Sequence, residues 1–162
     1  MPKNLANCEH SEMIDIYFPA SSQHPNLRLR KRGNILEITK KTLVNPNDAS
    51  AQLEQTIKLT QEDYDALLQV AGKRVNKVRY YLNHNGYGLS LEVDVFKEAL
   101  LGLVLVDVEF DSVKEKDDFQ MPDFCLVEVT QENFLAGGML CGKSYSDIEA
   151  DLTRLGYNKL YN

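Results

Sequence analysis

Four two-residue steps carry most of the chemistry in this chain: Arg28 with Arg30, Lys77 with Arg79, Glu92 with Asp94, and Asp107 with Glu109. Residues i and i+2 of a strand point to the same face. If each step lies in a strand, like charges are stacked, basic on some strands and acidic on others. A face meant only to be wetted would mix signs within a strand. Arginine and lysine bind phosphate oxygens, arginine through a two-pronged contact. Mg²⁺ or Mn²⁺ takes oxygen ligands and often bridges carboxylates to substrate phosphates. Acids, a divalent cation and bases in one cavity would make a site for phosphoryl transfer from a polyphosphate.

The elements that must position these residues are strands. Apolar and polar residues alternate in "MIDIYF" (13–18), "LRLRKR" (27–32), "LEITKK" (36–41), "AQLEQTIKL" (51–59), "VNKVRYYL" (75–82), "LSLEVDVF" (89–96) and "GLVLVDVEF" (102–110). The turn signals "HPN", "RGN", "NHNGYG" and "KEALLG" separate most of them. Short connections between neighbours predict an antiparallel sheet. "LVNPNDAS" (43–50) reads as a loop. One helix is predicted over 60–72, with Thr60 as N-cap, Gly72 after its end, and Tyr64, Leu67, Leu68 and Ala71 facing the core. Shorter helical stretches follow at 112–119, 132–138 and 144–156. Leu53, Ile57, Val78, Leu82, Val93 and Val108 are expected to be buried against helices, on the face opposite the charges.

"GGMLCGKS" (137–144) fits the phosphate-loop pattern G-x-x-x-x-G-K-S. Such a loop follows a buried strand and opens a helix in a parallel sheet. Here the preceding segment reads as helical, and only 18 residues follow Ser144. The match is therefore read as a tight turn with a capping serine, and Lys143 as a surface lysine.

With 162 residues, 43% of them apolar and 26% charged, the chain suits one soluble domain. The divisions are a link over 1–10, strands and the 60–72 helix over 11–129, and helices over 130–162. Net charge of −6 argues against a general nucleic-acid binder. No apolar run is long enough for a membrane helix, and the start lacks the apolar core of a signal peptide. Cys8, Cys125 and Cys141 fit free thiols in the cytoplasm. His10, His24 and His84 show no metal-ligand spacing.

From about Asp15 to about Leu140 the chain resembles the CYTH family, the triphosphate tunnel metalloenzymes. The carriers are "LRLRKRG", "ITKK", "LEQTI", "KVRYYL", "LEVDVF", "GLVLVDVEF" and "VEVTQENF", in the family's order. The resemblance implies an α+β fold: a closed or nearly closed antiparallel β-barrel, eight-stranded in the family, with flanking helices. It implies a metal-dependent hydrolase of inorganic or organic triphosphate, using Mg²⁺ or Mn²⁺. Arg28, Arg30, Lys41, Lys77 and Arg79 would grip phosphates, and Lys77, Arg79 and Glu92 would be catalytic. Asp107, Glu109, Glu54 and Asp94 would serve the metal, with Asp107 and Glu109 nearest to it. Asp94 could instead hold a basic residue in place.

The family's E-x-E-x-K first strand has no counterpart here, and Ser50 and Gln52 stand where its fourth strand has an arginine and an acid. Asp107 replaces a usual glutamate. The resemblance thus implies a first strand upstream of Met1, a kept phosphate grip and a thinner metal site. Missing one strand would leave two open edges, which invite association, for example as a homodimer. Two functions stay open: a triphosphatase, and a relative that binds triphosphate or polyphosphate anions without efficient turnover. A purely structural role is weaker, because stacked like charges cost stability unless something offsets them.

Overall fold

The computed structural model describes Pro2, residues 5–84 and residues 89–160. Residues 85–88 of the expected turn "NHNGYG" lie outside them. The strands are β1 (His10–Phe18), β2 (Leu27–Arg32), β3 (Ile35–Asn45), β4 (Asp48–Lys58), β5 (Lys73–His84), β6 (Leu89–Phe96) and β7 (Val104–Val108). The helices are α1 (Gln61–Leu67), α2 (Val113–Asp118), α3 (Gly137–Leu140) and α4 (Glu149–Arg154), with single 3₁₀ turns between some elements. The strands form one antiparallel sheet in the order β4-β3-β2-β1-β5-β6-β7, curled into a half-barrel. Among the described residues β4 and β7 are its unpaired edges.

Local sequence sets the connections. Gly33 takes φ +56, a left-handed value that suits the two-residue turn between Arg32 and Ile35. The expected loop over 43–50 is shorter than read, because β3 and β4 continue until Asn45 pairs with Asp48. The Asn45 side chain accepts from Asn47 N at 3.0 Å, which closes that turn. Thr60 and Asp63 cap α1 reciprocally, at 3.2 and 3.1 Å.

One face of the sheet is apolar and carries α1. Ile16, Phe18, Leu29 and Tyr64 form its core, with Ile14, Leu27, Leu36, Ile38, Leu59 and Leu67 around them. The helix ends one turn earlier than expected, so Leu68 and Ala71 are exposed rather than core-facing. Leu53 and Ile57 are also exposed, at 58% and 65%, against the expectation of burial. They stand on the edge strand β4, beyond the reach of a seven-residue α1. Val78 and Val93 are buried as expected, whereas Val108 is half-buried. Over β5–β7 the same face is covered by Leu5, which packs with Val93, Val95 and half-buried Leu82, so no helix is needed there.

The opposite, inner face is charged for most of its length and apolar at one end. There Tyr17, Val75 and Phe96 meet Leu103, Leu135, Leu140, Tyr145, Ile148 and Leu152. The chain after β7 thus folds over that end. Gln131 ties the same chain to the start of β4, accepting from Ala49 N at 3.2 Å and donating to Asp48 at 3.0 Å. The half-barrel is closed at one end and open at the other.

Candidate active site

Strand register brings the stacked charges onto the inner face. Arg28 lies opposite Tyr17, and Arg30 opposite Asp15. Asp15 lies opposite Val75, which shares its face with Lys77 and Arg79. Arg79 lies opposite Asp94, and Glu92 opposite Asp107. Arg28 and Glu92 therefore share one face although they sit on β2 and β6.

The basic residues are not equivalent. Arg30 donates Nε and Nη2 to the two oxygens of Asp15, at 2.6 and 2.7 Å, and both side chains are buried. Burial alone would raise the Asp15 pKa. The Arg30 contact, backed by Lys77 and Arg28, reverses this and holds the carboxyl below its ordinary range. Arg79 donates Nε and Nη2 to Asp94, each at 2.7 Å, and also reaches Glu92 and, at 3.0 Å, Asp107. Lys77 pairs with Asp94 and lies 5.7 Å from the centre of the Phe96 ring. Burial pushes the Lys77 pKa down, with Asp94 acting against the shift. Arg28 differs from all of these. It is 8% exposed, and its Nε has no hydrogen-bond partner. A buried polar donor without an acceptor is costly, so this atom marks a place for a ligand acceptor.

The acids divide in the same way. Asp94 is committed to Lys77 and Arg79, in line with a role in holding basic residues. Glu54 pairs with Lys41 on the β3–β4 side, about two-fifths exposed. Asp107 is more than half exposed, and Glu109 lies just past the end of β7. The Glu92 pKa is raised, first by burial and then by the carboxylates of Glu109 and Asp107, against the pull of Arg79. Among the described residues no three acid, histidine or cysteine side chains are gathered as a metal site.

Asp15 was not readable as a site residue. Its signal is one carboxylate in the otherwise apolar "MIDIYF", on the same face as Tyr17. Thr39, 1% exposed and bonded to Thr56 at 2.9 Å, belongs to the same face. The "GGMLCGKS" segment is no phosphate loop. It follows a 3₁₀ turn over Asn133–Leu135, and its first residues form α3. A Cβ on Gly137 would run into the Tyr17 hydroxyl, so the glycine serves close packing at the closed end. Ser144 and Asp147 cap the following turn.

No family model matches the sequence, and no curated protein matches it. Solved structures do. The crystal structure of the hypothetical protein NE1496 superposes with a TM-score of 0.59, at 26% identity, covering 84% of this chain and 88% of that one. The crystal structure of the inorganic triphosphatase NE1496 gives a TM-score of 0.57 at 25% identity, covering 82% and 83%. The antiparallel half-barrel and these neighbours agree with the resemblance carried by the strand motifs: the chain has a CYTH-like fold.

Proposed function

We propose that the inner face binds a triphosphate anion and hydrolyses it. The observation that carries this reading is the buried Arg28 Nε without a partner, on a face where Lys77 and Arg79 already stand among acids. An incoming phosphate oxygen would satisfy Arg28. Lys77 would share its remaining donors with the anion. Arg79, fixed by Asp94, Glu92 and Asp107, would present positive charge with little freedom left to lose. Arg30 and Lys41 would add to the positive field; Arg30 acts through its pair with Asp15 rather than through Nε or Nη2. The neighbour named as an inorganic triphosphatase supports hydrolysis over simple binding.

Phosphoryl transfer depends mostly on positioning and on charge stabilisation. Glu92 is the best-placed base. Its raised pKa makes it the readier carboxylate to take a proton from an attacking water as the water oxygen bonds to phosphorus. The P–O bond to the leaving phosphate then breaks, and the basic residues carry the charge that develops. Asp94 and Glu54 are spent on lysine and arginine, so the acids do not fit a resident metal cage. They fit a Mg²⁺ or Mn²⁺ ion that arrives with the triphosphate, since Mg²⁺ commonly uses one or two carboxylates plus phosphate oxygens. Asp107, Glu109 and Glu92 would hold it, and it would neutralise phosphate charge.

The test is calorimetric titration with inorganic tripolyphosphate, followed by phosphate release with Mg²⁺, with Mn²⁺ and with neither. Binding and metal-dependent release are expected. No binding under any of these conditions would overturn the reading. Binding without release would leave the second reading, an anion binder, which the commitment of Asp94 and Glu54 to ion pairs favours.

A further inference from the structure

At the open end of the inner face lies a cavity of ≈ 480 Å³ lined by Glu9, Ser11, Arg32, Ile35, Tyr81 and Ser90. Its volume is in the range of small-molecule sites, about 300–1,000 Å³. It adjoins the charged cluster directly. Ser11 lies opposite Arg79 across β1 and β5, and Tyr81 lies opposite Glu92 across β5 and β6. The other end of the face is filled by Tyr17, Val75 and Phe96 with the chain after β7. Anything attached to a triphosphate in the cluster therefore has to leave through this cavity.

The lining chemistry differs from that of the cluster. Arg32 is its one basic side chain, and Glu9 supplies a carboxylate. A further phosphate would meet as much negative charge as positive. The Arg32 Nη1 donates to the Tyr81 hydroxyl at 3.3 Å, which holds the phenol ring in place. Two serine hydroxyls and the apolar Ile35 complete the wall. A fixed aromatic face, hydroxyls that both donate and accept, and one carboxylate suit a flat, neutral or weakly basic ring.

We infer that this cavity is a subsite for an aromatic group esterified to the triphosphate, so that the preferred ligand is an organic triphosphate rather than the inorganic anion. This rests on the triphosphate reading. The phosphates occupy the Arg28, Lys77 and Arg79 region, and the ring stacks on Tyr81 at the open end. Glu9 and the hydroxyls of Ser11 and Ser90 take its polar edge. Tyr81 then determines specificity without contributing to the phosphate grip.

The experiment is calorimetric titration of the full chain and its Tyr81→Ala and Tyr81→Phe variants. The probes are inorganic tripolyphosphate, ATP and thiamine triphosphate, which carry no ring, a purine, and a pyrimidine with a thiazolium. At least one organic triphosphate is expected to bind about tenfold or more tighter than tripolyphosphate. Tyr81→Ala should remove that margin and leave tripolyphosphate affinity within about twofold, and Tyr81→Phe should keep most of it. Unchanged tripolyphosphate binding by Tyr81→Ala also shows that the variant is folded. Tripolyphosphate binding as tightly as both organic probes would overturn the inference while leaving the triphosphate reading intact. So would a margin untouched by Tyr81→Ala. Failure of all three probes would overturn both.

Discussion

Arg28 and Arg30 stand two residues apart on one face of β2 and are chemically unequal. Arg30 gives Nε and Nη2 to Asp15, whereas the Nε of Arg28, equally buried, meets no acceptor. The difference comes from register: the carboxylate of β1 lies opposite Arg30, and Tyr17 lies opposite Arg28. One arginine is therefore used in holding β1 to β2, and the other is left for a ligand.

The two should respond differently to removal. Arg28→Ala is expected to weaken tripolyphosphate binding by about 1.5–3 kcal/mol, the range for a charge-assisted hydrogen bond. Its folding stability should change little, because the lost donor had no partner. Arg30→Ala leaves the Asp15 carboxylate buried and unpaired, and should lower folding stability by about 3–5 kcal/mol. Chemical denaturation and titration on both variants would check this. A large loss of stability in Arg28→Ala with none in Arg30→Ala would contradict the assignment.

Acid should unfold the chain through the same pairs. Asp15 and Asp94 are held below their ordinary value of 3.8, each by its basic partners against the effect of burial. A depressed carboxylate contributes stability that is fully present above the unfolded-state value and lost as pH falls through the folded one. Stability should thus be level down to about pH 5 and fall below about pH 4. Glu92 works in the opposite sense, since its raised value favours the protonated form in the folded chain. Asp15→Asn should be less stable at neutral pH and show a shallower loss in acid. Denaturation midpoints measured from pH 7 to pH 3 would show whether the acid limb flattens.

Much of the inner face was legible because period-two alternation is a local property. Arg28, Arg30, Lys77, Arg79, Glu92 and Asp94 could be placed on one side of their strands from spacing alone. Which arginine is consumed by Asp15 depends on how β1 and β2 are aligned, a relation between strands that no single strand encodes. The closed end was hidden for a related reason. Tyr17, Val75 and Phe96 point to the same face as the charges, and only the returning chain around Leu140 and Ile148 makes that end apolar. Leu53 and Ile57 show the converse. Their alternation is that of a buried strand, but burial also requires a covering element, and α1 stops short of β4.

The same folding-over gives the "GGMLCGKS" segment a role that can be separated from phosphate binding. Lys143 follows α3 at the closed end, while Gly137 abuts the Tyr17 hydroxyl. Lys143→Ala should leave tripolyphosphate affinity within about twofold, since no charge-assisted contact of the size expected for Arg28 is removed. Gly137→Ala should destabilise the fold by about 1–3 kcal/mol, as expected for overpacking a filled site. Loss of binding in Lys143→Ala with full stability in Gly137→Ala would restore the phosphate-loop reading.

The division among the acids makes a prediction about metal. Asp94 faces Lys77 and Arg79, and Glu54 faces Lys41, so neither is available to a cation without breaking an ion pair. Asp107 and Glu109 are exposed at the β7 side, and Glu92 is shared with Arg79. Mg²⁺ binds reluctantly where few carboxylates are offered and relies on phosphate oxygens for the rest of its shell. Mg²⁺ or Mn²⁺ alone should therefore leave the thermal unfolding midpoint unchanged, whereas tripolyphosphate should raise it by mass action. Adding the metal to the tripolyphosphate complex should raise it further, and Asp107→Asn should remove that second increment while keeping the first. A midpoint raised by metal alone at low concentration would show instead that the acids form a resident site, and that the Asp94 and Glu54 pairs open to admit the ion.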